Sequence, residues 1–168
     1  MIDIAKLTEL AVAYDAGDPR RVQHLMKVYA FCRIIGQSEG LDEKTQNTLE
    51  AAAILHDIGI HEAEHKHGSS AGKWQEVEGP AVAALLLKRA DADPAACERV
   101  LWLIAHHHTY TASDDKDFRI LLEADFLVNA YEDTLPPDAC QVADEQIFRT
   151  HTGRTFLQNL YLTPPYQP

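Results

Sequence analysis

The sequence predicts an all-α protein of at least six helices in a single domain. Apolar residues recur at three- and four-residue spacing in successive segments, as they do on one face of a helix. Aspartates, often with a proline after them, precede several of these segments and glycines follow them, which is typical of helix starts and ends. No segment shows the alternation of a β-strand, and no internal repeat is present. At 168 residues the chain is long enough for one ordinary core and too short for two.

The first two helices bring in a candidate metal ligand. Apolar positions between residues 2 and 14 predict the first helix, and the second begins at Asp18-Pro19 and should run to about Ile35. His24 falls on the apolar face of this second helix. A lone buried histidine is more often a core residue that bonds a backbone carbonyl than a metal ligand. Both interpretations stay open at this point.

The third helix ends in a histidine-aspartate pair. It begins at Leu41-Asp42, its apolar stripe continues to His56, Asp57 follows directly, and Gly59 is expected to stop it. Burying an unpaired carboxylate costs roughly several kcal/mol, so this aspartate lies at an exposed end or is held by strong donors or a cation. The adjacent imidazole favours a divalent metal ion.

The next segment contains the nearest positive charges. Residues 61–73 are polar, rich in Gly and Ser, and aperiodic, which predicts a mobile loop at the mouth of the site. Its Lys66 is a candidate phosphate contact, although a solvated side chain is the simpler interpretation. A fourth helix is expected over residues 73–90, and Pro80 would break it or start a new one, so that Glu78 could face inward.

A second carboxylate lies in an apolar stripe further along the chain. The fifth helix starts at Asp93 and ends in three consecutive histidines, residues 106–108, which cannot all point the same way because they span most of a helical turn. The sixth helix, over residues 117–133, surrounds Asp125 with apolar neighbours. Two buried aspartates on separate helices, with histidines on others, have one economical explanation, which is a metal ion that holds them together.

Composition limits the partners and the compartment. Residues 134–162 predict one or two more helices broken by Gly153, and residues 163–168 form a proline-rich tail. The formal net charge of -11 argues against a nucleic-acid polymer as a partner. The chain shows no signal peptide and no run near the ~18 apolar residues of a membrane span. The three cysteines are far apart and are expected to be reduced. We therefore expect a cytoplasmic protein without membrane contact.

The candidate ligands form an H…HD…D pattern that resembles the HD-domain superfamily. Its members here are His24, His56, Asp57 and Asp125. They lie within RRVQHLMKV, AAILHDIGI and LLEADFLVN, and the resemblance covers about residues 18–133. It implies a single HD domain over residues 1–168, a helical bundle with a central metal site in which these four residues are ligands. The implied cofactor is one or two divalent ions per chain, of Mn, Fe, Co, Ni, Zn or Mg.

A second metal ion would need further ligands. Many members of the superfamily bind one through two additional histidines. His106 or His107 could supply one of them, whereas no histidine stands near residues 75–80, where Glu78 is closest and a carboxylate could substitute. Without a second ion, His106 and His107 could instead contact the leaving phosphate or act as an acid.

The resemblance implies a phosphohydrolase that acts on a nucleotide or another small phosphate ester. A divalent ion held by two imidazoles and two carboxylates keeps open coordination positions and lowers the pKa of bound water, which Asp57 could position. Arg21 precedes His24 by three residues and so shares its face, and with Lys66 it could neutralise charge on the phosphate. A solvated helix start explains Arg21 equally well.

Two other functions fit the same residues. Some HD-domain proteins hold two irons and use dioxygen to oxidise a diol or a phosphonate, but such a site needs both metals, and Glu78 in place of a histidine counts against it. A metal-binding sensor with little turnover is the third hypothesis, and the complete ligand set argues against it. The sequence identifies neither the substrate nor the oligomeric state, and a homodimer is compatible with it.

Overall fold

The computed structural model describes residues 1–164, and this part of the chain is helical throughout, without a β-strand. The α-helices are α1 (Ile4–Tyr14), α2 (Pro19–Ser38), α3 (Glu43–Leu55), α4 (Ile60–His67), α5 (Gly72–Arg89), α6 (Pro94–Ile104), α7 (Lys116–Glu132), α8 (Pro137–Gln146) and α9 (His151–Leu157), followed by a π-helical turn, Gln158–Leu162. The predicted all-α fold with at least six helices is confirmed. Residues 165–168 of the predicted tail lie outside the described residues.

Aspartate side chains start four of the helices. Each accepts a hydrogen bond from a backbone N–H of the first turn, which would otherwise have no partner. These caps are Asp3 on α1, Asp18 on α2, Asp42 on α3 and Asp93 on α6. Proline occupies the first helical position in α2 and α6, where its missing N–H costs nothing. The predicted starts of α2, α3 and α6 therefore hold to within two residues.

The third helix is the centre of the bundle. It packs against α1, α2, α6 and α7. Every residue from 51 to 55 is no more than 1% exposed. The His56-Asp57 pair that follows α3 is consequently delivered into the middle of the molecule, beside the elements that surround this helix.

Residues 61–73 do not form the loop that the sequence predicts. Most of this segment belongs to α4, which ends at Gly68 in a left-handed conformation with φ of 64°. The helix is anchored by its one buried residue, Ala63, and packs against α5. Its start is also close to α5, because a Cβ on Gly59 would lie only 2.5 Å from the backbone nitrogen of Gly79.

Three expected helix ends differ from those observed. Pro80 lies inside a continuous α5. The helix α6 stops at Ile104, so the three histidines occupy a turn rather than the last helical turn. The chain breaks between α8 and α9 and not at Gly153, because the buried Glu123 carboxylate accepts hydrogen bonds from the backbone N–H groups of Arg149 and Thr150 and fixes the start of α9 there. Among residues 1–164, no helix is long and apolar enough to cross a membrane.

Candidate metal centre

Three helices place the four predicted ligands around one point. His24 projects from the second turn of α2, and Asp125 from the middle of α7. His56 is the C-cap of α3, and Asp57 begins the turn after it. The pairs of helices α2 with α3, α2 with α7 and α3 with α7 are all in contact, so the four side chains meet where these helices join.

The two histidine nitrogens lie at similar distances from each other and from the two aspartates. Nε2 of His24 is 3.1 Å from Nε2 of His56, 3.4 Å from Oδ2 of Asp57 and 3.2 Å from Oδ1 of Asp125. Nε2 of His56 is 3.5 Å from each of the same two carboxylate oxygens. Two ligands bound about 2.0–2.2 Å from a tetrahedral metal ion lie roughly 3.3–3.6 Å apart, so these separations are close to those around one ion. The compact group of possible ligands is His24, His56 and Asp57, and Asp125 approaches both histidines without belonging to that group.

Hydrogen bonds on the far side of each ring determine which nitrogen faces the cluster. Nδ1 of His24 lies 2.9 Å from Oε2 of Glu132, and Nδ1 of His56 lies 2.8 Å from the carbonyl oxygen of Ala53. Carboxylate and carbonyl oxygens only accept, so both Nδ1 atoms carry the proton. A neutral ring then turns an unprotonated Nε2 toward the other ligand atoms. This is the tautomer that metal-binding histidines adopt.

His107 points into the same cluster. Its Nδ1 donates to the carbonyl oxygen of Ile104 at 2.8 Å, and its Nε2 lies 3.4 Å from Oδ1 of Asp57. This Nε2 is fully buried and has no hydrogen-bond partner among the described residues. A buried polar atom without a partner costs free energy, and a cation beside Asp57 would remove that cost. The donor set therefore fits a divalent metal ion.

A second group of possible ligands shares Asp57 with the first. Ligand atoms of Asp57, His107 and His108 lie within 4.8 Å of one another, as do those of His24, His56 and Asp57. Gln75 lies beside this second group, with its Oε1 3.1 Å from Nε2 of His108. Because a carboxylate can bridge two ions, Asp57 is placed to belong to two metal positions.

Three of the predicted site residues are not brought to the cluster. The His106 ring stacks on Trp102, with centroids 4.3 Å apart, and its Nδ1 donates to the carbonyl oxygen of Trp102. Glu78 accepts from Nζ of Lys66 at 2.7 Å and from Nε2 of His67 at 2.9 Å, on the surface between α4 and α5. The lysine and the glutamate satisfy each other, so neither is directed at the candidate ligands, and neither His106 nor Glu78 belongs to a ligand group.

Arg21 lies where the sequence predicts, beside the cluster. It lines a cavity of about 360 Å³ together with His24, Asp57 and Gln75. Its guanidinium already has partners. Nη2 donates to both carboxylate oxygens of Glu64, and Nε lies 3.4 Å from Oδ2 of Asp18. Arg20, by comparison, is 77% exposed.

Sequence reasoning missed the residues that orient the ligands. Asn129 donates to Oδ1 of Asp125 at 2.9 Å, and Glu132 bonds both His24 and Lys27. Both follow Asp125 on α7 at helical spacing, four and seven residues later, which is the signal that could have identified them. Gln75 carries no comparable signal, because α5 must first be folded against α4.

Protons would compete with a metal ion for this cluster. Burial lowers the pKa of His56, but the carboxylates of Asp57 and Asp125 outweigh it and raise the pKa to about 9. Burial raises the pKa of Asp57, but His56 and His107 lower it to about 2. Burial and the neighbouring His107 together lower the pKa of His108 to about 4. The second group therefore has a neutral imidazole available near neutral pH, whereas the first must lose a proton to bind an ion.

Comparisons with known proteins agree with the geometry. The family model for the HD domain matches residues 21–144. The crystal structure of a predicted HD superfamily hydrolase from an uncultured Thermotogales bacterium is similar to this one, with a TM-score of 0.61 and 25% sequence identity over 94% of this chain and 82% of that chain. A search of curated proteins found no match.

The first prediction concerns pH. The pKa of His56 is raised from 6.5 to about 9 in the metal-free fold, so its charged form stabilises that fold below pH 6.5, and this contribution is lost as the pH rises to about 9. We expect the thermal unfolding midpoint of metal-free protein to fall across this range, while protein kept saturated with metal shows no such fall. Identical pH profiles for the two forms would contradict the assignment of His56 to the metal site.

The second prediction concerns Glu132. Its carboxylate fixes the tautomer of His24, and removing such a partner typically costs about 10- to 100-fold in metal affinity. We expect Glu132→Gln to weaken metal binding by about tenfold or more in a competition titration against a chromogenic chelator. Asp133→Asn is the matched control, since it removes the next charge on the chain, from a side chain that is 58% exposed. Equal affinities in the two variants would remove Glu132 from this role.

Proposed function

Because the chain belongs to the HD-domain family, whose model matches residues 21–144, we propose that it is a metal-dependent phosphohydrolase acting on a small phosphate ester such as a nucleotide. The family accounts for metal-dependent hydrolysis in general. The phosphate ester as substrate and the roles of individual residues are our inference from the site.

One observation carries the proposal, which is that the ligand cluster faces a cavity. Structural metal sites are usually closed by protein ligands, whereas catalytic sites keep a position for water or substrate. Here His24 and Asp57 both line the cavity of about 360 Å³, and Arg21 lines it with them. A cation-binding cluster beside an arginine suits phosphoryl chemistry, because both can stabilise the charge that develops on the phosphate oxygens.

Each residue of the site would have a distinct role in hydrolysis. A bound divalent ion would polarise the phosphate and lower the pKa of water. His24, His56, Asp57 and Asp125 would hold that ion. Asp57 would also orient the attacking water, since its side chain is part of the cavity wall, and Arg21 would neutralise negative charge on the phosphate. His107 would hold a second ion through its free Nε2 or, when that nitrogen is protonated, donate a hydrogen bond from it to the departing group.

The third prediction tests this function. Protein purified without a chelator or a metal-binding tag is loaded with Mn, Fe, Co, Ni, Zn or Mg in turn and screened for phosphate release from nucleotides and other phosphate esters. We expect turnover with at least one ion. His56→Ala should lose the bound ion and at least about 100-fold in rate, because both the nucleophile and the charge stabilisation depend on that ion.

The control for this experiment is another histidine of the same chain. His106→Ala should keep both metal and activity, because this ring stacks on Trp102 and lies outside the cluster. Circular dichroism shows whether each variant remains helical. Retention of full metal and activity by His56→Ala, or the absence of phosphate release with every ion, would contradict the proposal.

A second candidate function is favoured by the Asp57, His107 and His108 group. This group would give the chain two metal positions that share one carboxylate, which a di-iron oxygenase needs and a one-metal hydrolase does not. In the sequence, the absence of a histidine near Glu78 counts against this function. That absence matters less in the structure, because His108 and His107 together could supply the ligands of a second ion.

The fourth prediction separates the two functions. If the chain is an oxygenase, ferrous protein should bind two irons and consume dioxygen in the presence of a diol or a phosphonate. His107→Ala should then reduce the stoichiometry from two irons to one and stop oxygen uptake, while His106→Ala leaves both unchanged. A saturating stoichiometry of one ion per chain would rule this function out.

A further inference from the structure

Arg21 is held from one side by the partly exposed ring of His61, which is itself paired with the buried Asp15. Its Nη1 lies 2.6 Å from Nδ1 of His61, and Nε2 of the same ring lies 3.0 Å from Oδ1 of Asp15. Nη1 also lies 3.1 Å from Nε2 of His61, but the contact to Nδ1 is the shorter one. Because the arginine can only donate and the aspartate can only accept, His61 accepts at Nδ1 and donates to Asp15 from Nε2. Asp15 is only 5% exposed, and the ring of Tyr14 packs edge-on against His61. These contacts keep the guanidinium in one place.

The other side of the guanidinium meets an exposed carboxylate. Nη2 of Arg21 lies 3.0 Å from both Oε1 and Oε2 of Glu64. The Glu64 side chain is 48% exposed, and it stands on α4, at the wall of the cavity that Arg21 and His24 also line. The two partners of Arg21 therefore differ in how firmly they are held. His61 is hydrogen-bonded to the buried Asp15, whereas Glu64 is exposed to solvent.

A phosphate group can make the contacts that Glu64 makes. The planar guanidinium fork pairs with the oxygens of a carboxylate or of a phosphate in the same way. A phosphate monoester carries close to two negative charges at neutral pH and a carboxylate carries one, so the exchange favours phosphate. Half-exposed ion pairs contribute little to stability, and the fold can release the Glu64 contact at small cost.

We propose that Glu64 competes with the phosphate of the substrate for Arg21, while His61 and Asp15 hold the arginine facing the cavity. Glu64 then sets the affinity of the site for anions, and the terminal phosphate of a monoester is the group that displaces it. The inference rests on the proposed function for the identity of the ligand. The competition itself is a property of the anion site and does not require turnover.

The fifth prediction measures binding of inorganic phosphate to metal-loaded protein by titration calorimetry. Glu64→Gln should bind phosphate about two- to fivefold more tightly than the unmodified protein, because an exposed ion pair of ordinary strength no longer has to be broken. Glu62→Gln is the matched control. It removes the same charge from the same helix, but its carboxylate lies 3.2 Å from Nζ of Lys66 and does not touch Arg21, so its affinity should stay within error of the unmodified protein.

A double-mutant comparison identifies the partner of Glu64. Arg21→Met should weaken phosphate binding by roughly tenfold. In that background Glu64→Gln should have no further effect, because there is no arginine left to compete for. Arg21→Lys keeps the positive charge but loses the planar guanidinium, so its phosphate affinity should lie between those of the unmodified protein and Arg21→Met. Thermal unfolding of each variant separates lost binding from lost folding.

Three results would overturn the proposal. These are a Glu64→Gln affinity no tighter than that of Glu62→Gln, a Glu64→Gln effect that persists in the Arg21→Met background, and failure of all variants to bind phosphate. Failure of the proposed function is distinguishable, since it would leave the phosphate affinities in the expected order while no phosphate ester is hydrolysed.

Discussion

Five ligand groups face one another at the centre of the fold, namely Nε2 of His24, His56 and His107 and the carboxylates of Asp57 and Asp125. When the rings are neutral, none of these atoms carries a hydrogen, so they cannot hydrogen-bond to one another. The His24 and His56 nitrogens are 3.1 Å apart, and each lies 3.2–3.5 Å from the two carboxylates. Like lone pairs and like charges repel most strongly in a poorly solvated interior. Only positive charge, from protons or from a metal ion, makes this arrangement favourable. The surrounding structure is arranged to keep the five groups together and to restrict which positive charge they bind.

The scaffold achieves this by building the site from the ends and faces of packed helices. The most buried helix, α3, carries the His56-Asp57 pair, and its own carbonyl at Ala53 fixes the orientation of the first ring. Glu132 and Asn129 of α7 fix His24 and Asp125 in the same way. Because each ligand is already oriented in the folded chain, little conformational freedom remains to be lost when an ion binds. Rearrangement of any one helix would disturb all of the ligand distances together.

The anionic substrate that we propose would require this acidic protein to provide positive charge locally. The chain has a formal net charge of -11, and several carboxylates line the same cavity as Arg21. Bound metal would cancel the charge of Asp57 and Asp125, and Lys27 offsets the charge of Glu132. Arg21 lies on the cavity wall with His24 and Asp57, and under the proposed competition its pairing with Glu64 would let the site discriminate among anions. In that case an anion entering the negatively charged cavity would have to displace only the Glu64 carboxylate from Arg21.

The sequence by itself determined the features that depend on neighbours along the chain. Helix periodicity and aspartate caps depend on nearby residues, so the bounds of α2, α3 and α7 were predicted closely. An ionisable residue within an apolar stripe is also recognisable locally, and this feature identified the candidate ligands His24, His56, Asp57 and Asp125. Only the tertiary structure decided the rest. The helix α4 forms where it can pack against α5 and bury Ala63. His107 rather than His106 faces the cluster because α6 ends at Ile104 and the following turn sets the direction of each ring. Glu78 is occupied by Lys66, and Glu64 by Arg21, through long side chains that reach between helices. Such choices depend on distances across the fold, which the order of residues does not specify.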